Sequence, residues 1–342
     1  MRLLVIRTSA MGDVALVAPV LKSMRDQYPG VELILLTRKM FRPFFNSIDG
    51  LKFFFPDFEK RHKGIAGLFL LYRDIVGQGK VDYVIDLHDV IRSKVLRAIF
   101  RAGGVTVRYI DKGRKEKKML ITGRSRKKLR HTVERYEDVF GRAGFRVNPS
   151  EGPWIVPSPA AVHNAVDISG ITGGINIGVA PFAKHRLKMW PEQYMVELLG
   201  MITGKFRAKI WLFGGIEDAE GLSSLQKRVP GSVNLQGVLN LDQELALMTK
   251  LSLIISMDSS NMHMAALSGT RVVSIWGGTD PAAGFGPWNQ PEGYANSIPF
   301  DRLTCRPCTV YGKGKCKRKD HACMLWLTPE LVFKKLVELK LF

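Results

Sequence analysis

No stretch of this sequence approaches the ~18 consecutive apolar residues that cross a bilayer. The N-terminus offers only "LLVI" between Arg2 and Arg7, too short for the apolar core of a signal peptide. The expected location is therefore the cytoplasm. Cysteine is scarce: the four present, Cys305, Cys308, Cys316 and Cys323, all fall in one C-terminal stretch. In a reducing compartment that scarcity excludes a disulfide framework. There is no Walker A sequence, no GxGxxG and no GxSxG. ATPases, dinucleotide oxidoreductases and α/β-hydrolases thus lose their usual signatures. Acid is also in deficit, with 31 Asp and Glu against 51 Lys and Arg, a net charge of +20.

What is present is enough for two domains. The chain has 342 residues, 46% hydrophobic and 24% charged, as in a globular protein with a sizeable core. Its positive charge is concentrated. Residues 112–130 hold ten basic residues and one acid, and residues 302–319 hold seven basic residues and none. Together they supply +16 of the +20. Such clusters suit polyanions: nucleic acid, anionic lipid head groups or phosphorylated glycolipid. They read equally as solvated loops without a dedicated partner. The cysteines, a CxxC followed by two further thiols with His321 nearby, resemble a structural zinc site without a clean second knuckle. The alternative is four reduced thiols packing a loop.

Strand and helix signals alternate twice along the chain. Strands are expected at "RLLVI", "VELILLT" (31–37), "VDYVIDLH" (81–88), "INIGVA" (175–180), "KIWLF" (209–213), "LIISM" (253–257) and "RVVSIWG". The first helix carries Val17, Val20, Leu21 and Met24 at helical spacing, and Pro19 predicts an irregular start or a kink. A further helix is expected over 131–144. Four prolines in "PSEGPWIVPSP" (149–159) mark an interdomain linker. Near-continuous apolar strands separated by helices predict parallel sheets covered on both faces. The expected architecture is α/β, two Rossmann-like doubly wound domains facing a central cleft. We expect domains at 1–157 and 158–327, with a C-terminal helix at 328–342.

In such sheets ligands gather at the carboxyl ends of strands. Four strand ends carry polar candidates: Gly12 and Asp13 after the first strand, Lys188 after "INIGVA", Glu217 after "WLFGG", and Asp258, Ser259, Ser260 and His263 after "LIIS". Each has a plain structural reading. Asp13 or the serines could cap helices, Glu217 could favour a helix dipole, and His263 could be a packed core histidine. Jointly they suit transfer from a nucleotide sugar. A diphosphate leaving group needs a cation and oriented N–H groups, a ribose needs a carboxylate, and an attacking hydroxyl needs a base.

The motifs "RTSAMGDVALVAPVL", "VIDLHDVIRS", "KMWP", "WLFGGIED", "SMDSSNMHMAALSGTRVVSIWG" and "CRPC…HACMLWLTPELV", in this order, resemble the ADP-heptose:lipopolysaccharide heptosyltransferases of glycosyltransferase family nine. The resemblance covers nearly the whole chain. It implies a GT-B fold and an inverting transferase with no required cofactor and no catalytic metal. It points to Asp13 as base and to Lys188 as the donor-phosphate ligand. Glu217 would meet the ribose, and Asp258, Ser259, Ser260 and His263 would line the donor pocket. Arg92, His131 and Arg135 would meet a phosphorylated acceptor. The implied partners are ADP-heptose and the anionic lipid A–Kdo glycolipid at the cytoplasmic face of the inner membrane, not nucleic acid. Two departures, Ser259–Ser260 for Thr-Gly and Pro181–Phe182 for Pro-Gly, lie on the donor side and leave another nucleotide sugar open. The rival readings are a sugar epimerase of the same fold and a basic nucleic-acid-binding protein.

Overall fold

The computed structural model describes residues 1–149 and 152–341, so Ser150 and Glu151 of the proline-rich linker lie outside the described residues. Contacts divide the chain into two units. The first is Met1–Lys112 with Thr132–Val156, and the second is Gly113–His131 with the chain from Pro157 onward.

The first unit runs β1 (Arg2–Ile6), α1 (Met11–Ala15), α2 (Ala18–Gln27), β2 (Glu32–Leu36), β3 (Lys52–Phe54), α3 (Gly64–Val76), β4 (Tyr83–Asp86), α4 (Ile91–Ala102) and β5 (Thr106–Tyr109). α5 (Arg114–Ile121) belongs with the second unit, and α6 (Thr132–Gly141) returns to the first. The strands form one parallel sheet in the order β3-β2-β1-β4-β5. Leu3, Leu4, Val5 and Ile6 are all buried, as a strand with helices on both faces requires. The helix expected to be irregular at Pro19 is two helices. Proline has no N–H to give to Ala15, so the chain tightens through Val17 N to Val14 O at 3.0 Å. It restarts as α2, with Pro19 in the first turn, where no donor is needed.

The second unit runs α7 (Pro159–Ser169), β6 (Ile175–Ala180), α8 (Glu192–Lys205), β7 (Ala208–Leu212), α9 (Ala219–Arg228), β8 (Val233–Asn234), α10 (Leu241–Met248), β9 (Leu253–Met257), α11 (Ser260–Leu267), β10 (Val272–Ile275), β11 (Ala295–Asn296), α12 (Ala322–Leu325) and α13 (Pro329–Glu338). Its sheet is parallel in the order β11-β10-β9-β6-β7-β8. Side chains cap α7 and α10. The Ser158 hydroxyl accepts from Ala161 N, and Asn240 and Gln243 form a reciprocal box at the start of α10. α13 packs on α8, and the Trp190 indole donates to Leu327 O at 2.9 Å. No helix among the described residues is long and apolar enough to cross a membrane.

The basic clusters are partly structural. Arg126, from the first, donates to Arg306 O and Thr304 O in the second, at 2.7 and 2.8 Å. Arg306 is buried rather than solvated. Its guanidinium donates to Gly277 O, Ile298 O and Thr279 O and pairs with Asp280 at 2.9 Å. Burial alone raises the Asp280 pKa, and Arg306 works against that rise. Arg306→Met should therefore strand a buried carboxylate and three carbonyls. The expected loss is about 3–5 kcal/mol, read as a lower urea midpoint. Glu244, half-buried on α10, has its carboxyl pushed up to about 7 by burial. Between pH 4.5 and 7 the fold keeps a proton that the unfolded chain has released, so stability falls across that window. Glu244→Gln should stabilise the protein at pH 8 by on the order of 1–2 kcal/mol and change nothing at pH 4, as thermal melts would show.

Candidate functional site

Each sheet reverses its winding direction once. In the first, β1 to β3 build one way and β4 to β5 the other, so the β1 and β4 ends diverge. In the second, the reversal lies between β6 and β9. Connections leaving adjacent strands in opposite directions open a crevice at their carboxyl ends, the place where such sheets bind ligands.

At the first switch point, Asp13 lies in the first turn of α1, whose N-cap is Ala10. Its carboxylate is thus not the helix cap. Instead it pairs with Arg7 at 2.6 Å and stays partly exposed. Gly12 is an ordinary helical residue inside α1 and not among the glycines with positive φ. Arg7 follows β1 and reaches across to donate to Leu87 O, beyond β4, at 2.6 Å. Burial opposes its charge, but Asp13 and the neighbouring Tyr136 hold its pKa above the ordinary value. The Tyr136 hydroxyl donates to Asp13 O at 3.2 Å. Burial, then Asp13, raises the pKa of that phenol.

His88 bridges the same two strand ends. Its Nδ1 lies 3.2 Å from Thr8 Oγ1 and its Nε2 3.2 Å from Ser9 Oγ. Burial, then Arg7 and Lys112, push its pKa down to about 3, so the ring is neutral at physiological pH. Asp86 builds the turn beneath it by accepting from His88 N and Asp89 N and pairing with Arg97. Thr8, His88, Ser93 and Arg92 edge a small pocket whose walls are apolar, among them Ile6, Phe58 and Leu68. The Arg92 guanidinium lies 4.0 Å from the Phe58 ring centroid. Arg135, on α6, is buried and donates to Asp111 O at 3.4 Å. His131, expected beside it on the N-terminal domain, groups with the second unit. There its ring meets Trp288 and one nitrogen sits 2.9 Å from Gly286 O.

At the second switch point, Lys188 ends a short 3₁₀ turn after β6 and Asp258 follows β9 directly. Their side chains pair at 2.8 Å, both largely buried. Gly312, at φ +81°, packs on the Lys188 stem; a Cβ there would lie 2.7 Å from its Cγ. The second basic cluster therefore walls this site. His185 is held below its ordinary pKa by burial, then by Lys188, Lys313 and Lys184. Ser259 is the N-cap residue of α11, but its hydroxyl meets Ser256 Oγ at 3.3 Å instead of capping. Ser260 opens α11, and His263 is buried one turn further on. Glu217 is exposed in a 3₁₀ turn after β7, the strand beside β6. Next to it, Asp218 accepts from Gly215 N at 3.0 Å, and burial, with Glu217 adding, raises its pKa.

Lys188, Asp258 and the start of α11 are thus brought together at one strand-end crevice, with Glu217 on the adjoining strand end. Sequence reasoning missed Arg7, His88 and Tyr136 as site residues, because the contacts that place them, Arg7 to Leu87, Ser9 to His88 and Tyr136 to Asp13, join positions 79 to 123 apart; "VIDLH" reads as a strand and a family motif. The four cysteines are free thiols, graded from exposed Cys305 to buried Cys323. Burial, then neighbouring Cys308, pushes the Cys323 thiol up to about 11. Among the described residues no three His, Cys, Asp or Glu side chains are grouped to hold a metal ion.

Residues 72–311 match the profile of glycosyltransferase family 9 (heptosyltransferase). Lipooligosaccharide heptosyltransferase 2 of Haemophilus influenzae is 26% identical over 48% of this chain and 46% of its own length. Lipopolysaccharide heptosyltransferase 1 of Escherichia coli is 22% identical over 82% of this chain and 89% of its own. A family 9 glycosyltransferase from Veillonella parvula superposes with a TM-score of 0.77 at 21% identity, covering 99% of this chain and 97% of that one. The E. coli heptosyltransferase WaaC with ADP-2-deoxy-2-fluoro heptose gives 0.66 at 18%, covering 99% and 100%. The fold is that of the GT-B heptosyltransferases, two Rossmann-like domains. The chain belongs to glycosyltransferase family 9 (heptosyltransferase) and is a glycosyltransferase that uses a nucleotide sugar.

Proposed function

We propose that this enzyme transfers a heptose from ADP-heptose to the lipopolysaccharide inner core, with inversion at the anomeric carbon. The observation that carries the donor half is the Lys188–Asp258 pair at the second switch point, beside the start of α11. A buried lysine at a helix N-terminus is suited to a diphosphate. Glu217 accepts from the ribose hydroxyls, and the amides of Ser259 and Ser260 take phosphate oxygens. Asp258 orients Lys188, and His263 lines the pocket. The complex of WaaC with an ADP-heptose analogue supports this choice of donor.

In the chemical step an acceptor hydroxyl attacks the anomeric carbon from the face opposite ADP. The new C–O bond forms as the bond to the diphosphate breaks, and the hydroxyl proton passes to Asp13. Lys188 offsets the charge that leaves with ADP. Arg7 fixes one Asp13 oxygen, leaving the other free to receive the proton. Arg92 and Arg135 meet the phosphates of the acceptor. We place the reaction at the cytoplasmic face of the inner membrane, where this acceptor is assembled.

Asp13→Asn should lower turnover by about 10²–10⁴-fold with ADP affinity unchanged, read as transfer of labelled sugar to a lipid fraction and as calorimetric ADP binding. Full activity of the variant would remove Asp13 from the mechanism, and isomerised donor in place of labelled lipid would favour an epimerase. Lys188→Met should weaken ADP by about 10–100-fold. Ser259–Ser260 in place of the family's Thr-Gly makes the nucleotide worth scanning: thermal shifts with ADP, UDP and GDP should single out ADP. Because His88 is neutral down to about pH 3, the pH–rate profile should show no inflection belonging to it.

A further inference from the structure

Helix α3 is unusual for a helix that faces water. Its sequence from residue 64 to 72, "GIAGLFLLY", contains no charge. One side, Gly67, Leu68, Leu71 and Ile75, is buried against the first sheet. The opposite side, where a surface helix ordinarily carries Lys or Glu, presents Ile65, Ala66, Phe69 and Leu70. Ile65 is 72% exposed and Phe69 55%. Positions 65, 69 and 73 lie one turn apart on a single face, so these side chains form a continuous strip ending at Arg73. Scattered exposed apolar residues need no explanation, but a strip of this kind does.

The strip is framed by fixed cations. Lys60, Arg61 and Lys63, all exposed, immediately precede α3. Their loop is pinned to the helix: Gly67 lets the His62 backbone approach to where a Cβ would stand. The His62 ring accepts from Asp57 N at 2.9 Å and meets Asp74 at 3.0 Å, and Arg61 binds both Asp74 oxygens. Asp74 is thereby engaged locally, and the Asp57 carboxylate accepts from Glu59 N and Lys60 N, with Glu59 an exposed acid beside them. The Arg92–Phe58 contact joins the first turn of α4 to the same loop. There Ile91, 83% exposed, is the most exposed large apolar residue among those described. α4 carries Arg92, Lys94 and Arg101 toward the surface and no acid, while Arg97 is turned inward onto Asp86 and Asp89.

We propose that the outer face of α3, with Ile91 and the cations of the 60–63 loop and α4, docks on an anionic lipid bilayer. An apolar strip bordered by Lys and Arg matches the acyl boundary flanked by anionic head groups. A helix of 13 residues lies in that interface rather than crossing it. The contact rests on the membrane-face placement proposed above and shares Arg92 with the proposed acceptor contacts, but it needs neither substrate.

The test is co-sedimentation of the full chain with vesicles of phosphatidylcholine alone or mixed with phosphatidylglycerol. The wild type should pellet with the mixed vesicles and weaken as salt is raised. Ile65→Ser with Phe69→Ser should lower partitioning about tenfold or more. Lys60→Gln with Lys63→Gln should lower it about tenfold on mixed vesicles and leave the neutral ones unchanged. Ile168→Ser, at an exposed position on α7, should change nothing. Thermal melts matching the wild type would separate lost docking from lost folding. Undiminished binding of the Ile65/Phe69 variant, or no binding of the wild type to mixed vesicles, would overturn the proposal. So would light scattering that shows the strip buried in a dimer dissolved by the same variant.

Discussion

The single reversal of winding in each parallel sheet is the constraint on which the candidate chemistry depends. Two neighbouring strands whose connections leave in opposite directions cannot both be covered by their own loops. The gap is closed here by polar side chains reaching across it. In the first unit these are Arg7 to Leu87 O and Thr8 and Ser9 to His88. In the second it is Lys188 to Asp258. The hydrogen bonds that complete each fold locally are therefore the ones that present charge at the strand ends.

Both crevices rest on a buried cation paired with one carboxylate. Arg7 with Asp13 and Lys188 with Asp258 share a logic: the pairing makes burial of the cation tolerable and fixes its direction. The consequences differ with which partner is left accessible. At the first crevice the carboxylate keeps contact with solvent, suiting it to receive a proton. At the second the carboxylate is the more buried member and the ammonium the more open one, suiting it to an anion. Arg306 with Asp280 shows the purely architectural version, with neither partner accessible.

How much of this was legible depends on the range over which the determining contacts act. Central strands such as β1, β6 and β9 announced themselves because burial on both faces demands unbroken apolar runs. The edge strands β3, β8 and β11 are two or three residues long and carry no such signal. α3 was overlooked because it lacks the polar stripe that gives an amphipathic helix its period, and α5 because it is hidden in a run of charge. Lys188 and Asp258 could be singled out as strand-end residues, but their pairing joins positions 70 apart. The capping role considered for Asp13 failed for a local reason: the helix begins at Met11, three residues earlier than a cap at 13 allows. His131 lies next to α6 in sequence yet belongs with the second unit, where its ring meets Trp288.

The assignment of residues 113–131 to the second unit has a topological meaning. The polypeptide passes from one unit to the other and back before the proline-rich segment makes the final crossing, so three covalent strands join them. A single cleavage in the 149–159 segment would leave residues 113–131, covalently part of the N-terminal fragment, packed in the second unit. During synthesis, moreover, α5 and its flanking loop must wait, undocked, until Ala282 and Arg306 have emerged to receive Leu129 and Arg126. Neither unit is thus a separable module of contiguous sequence.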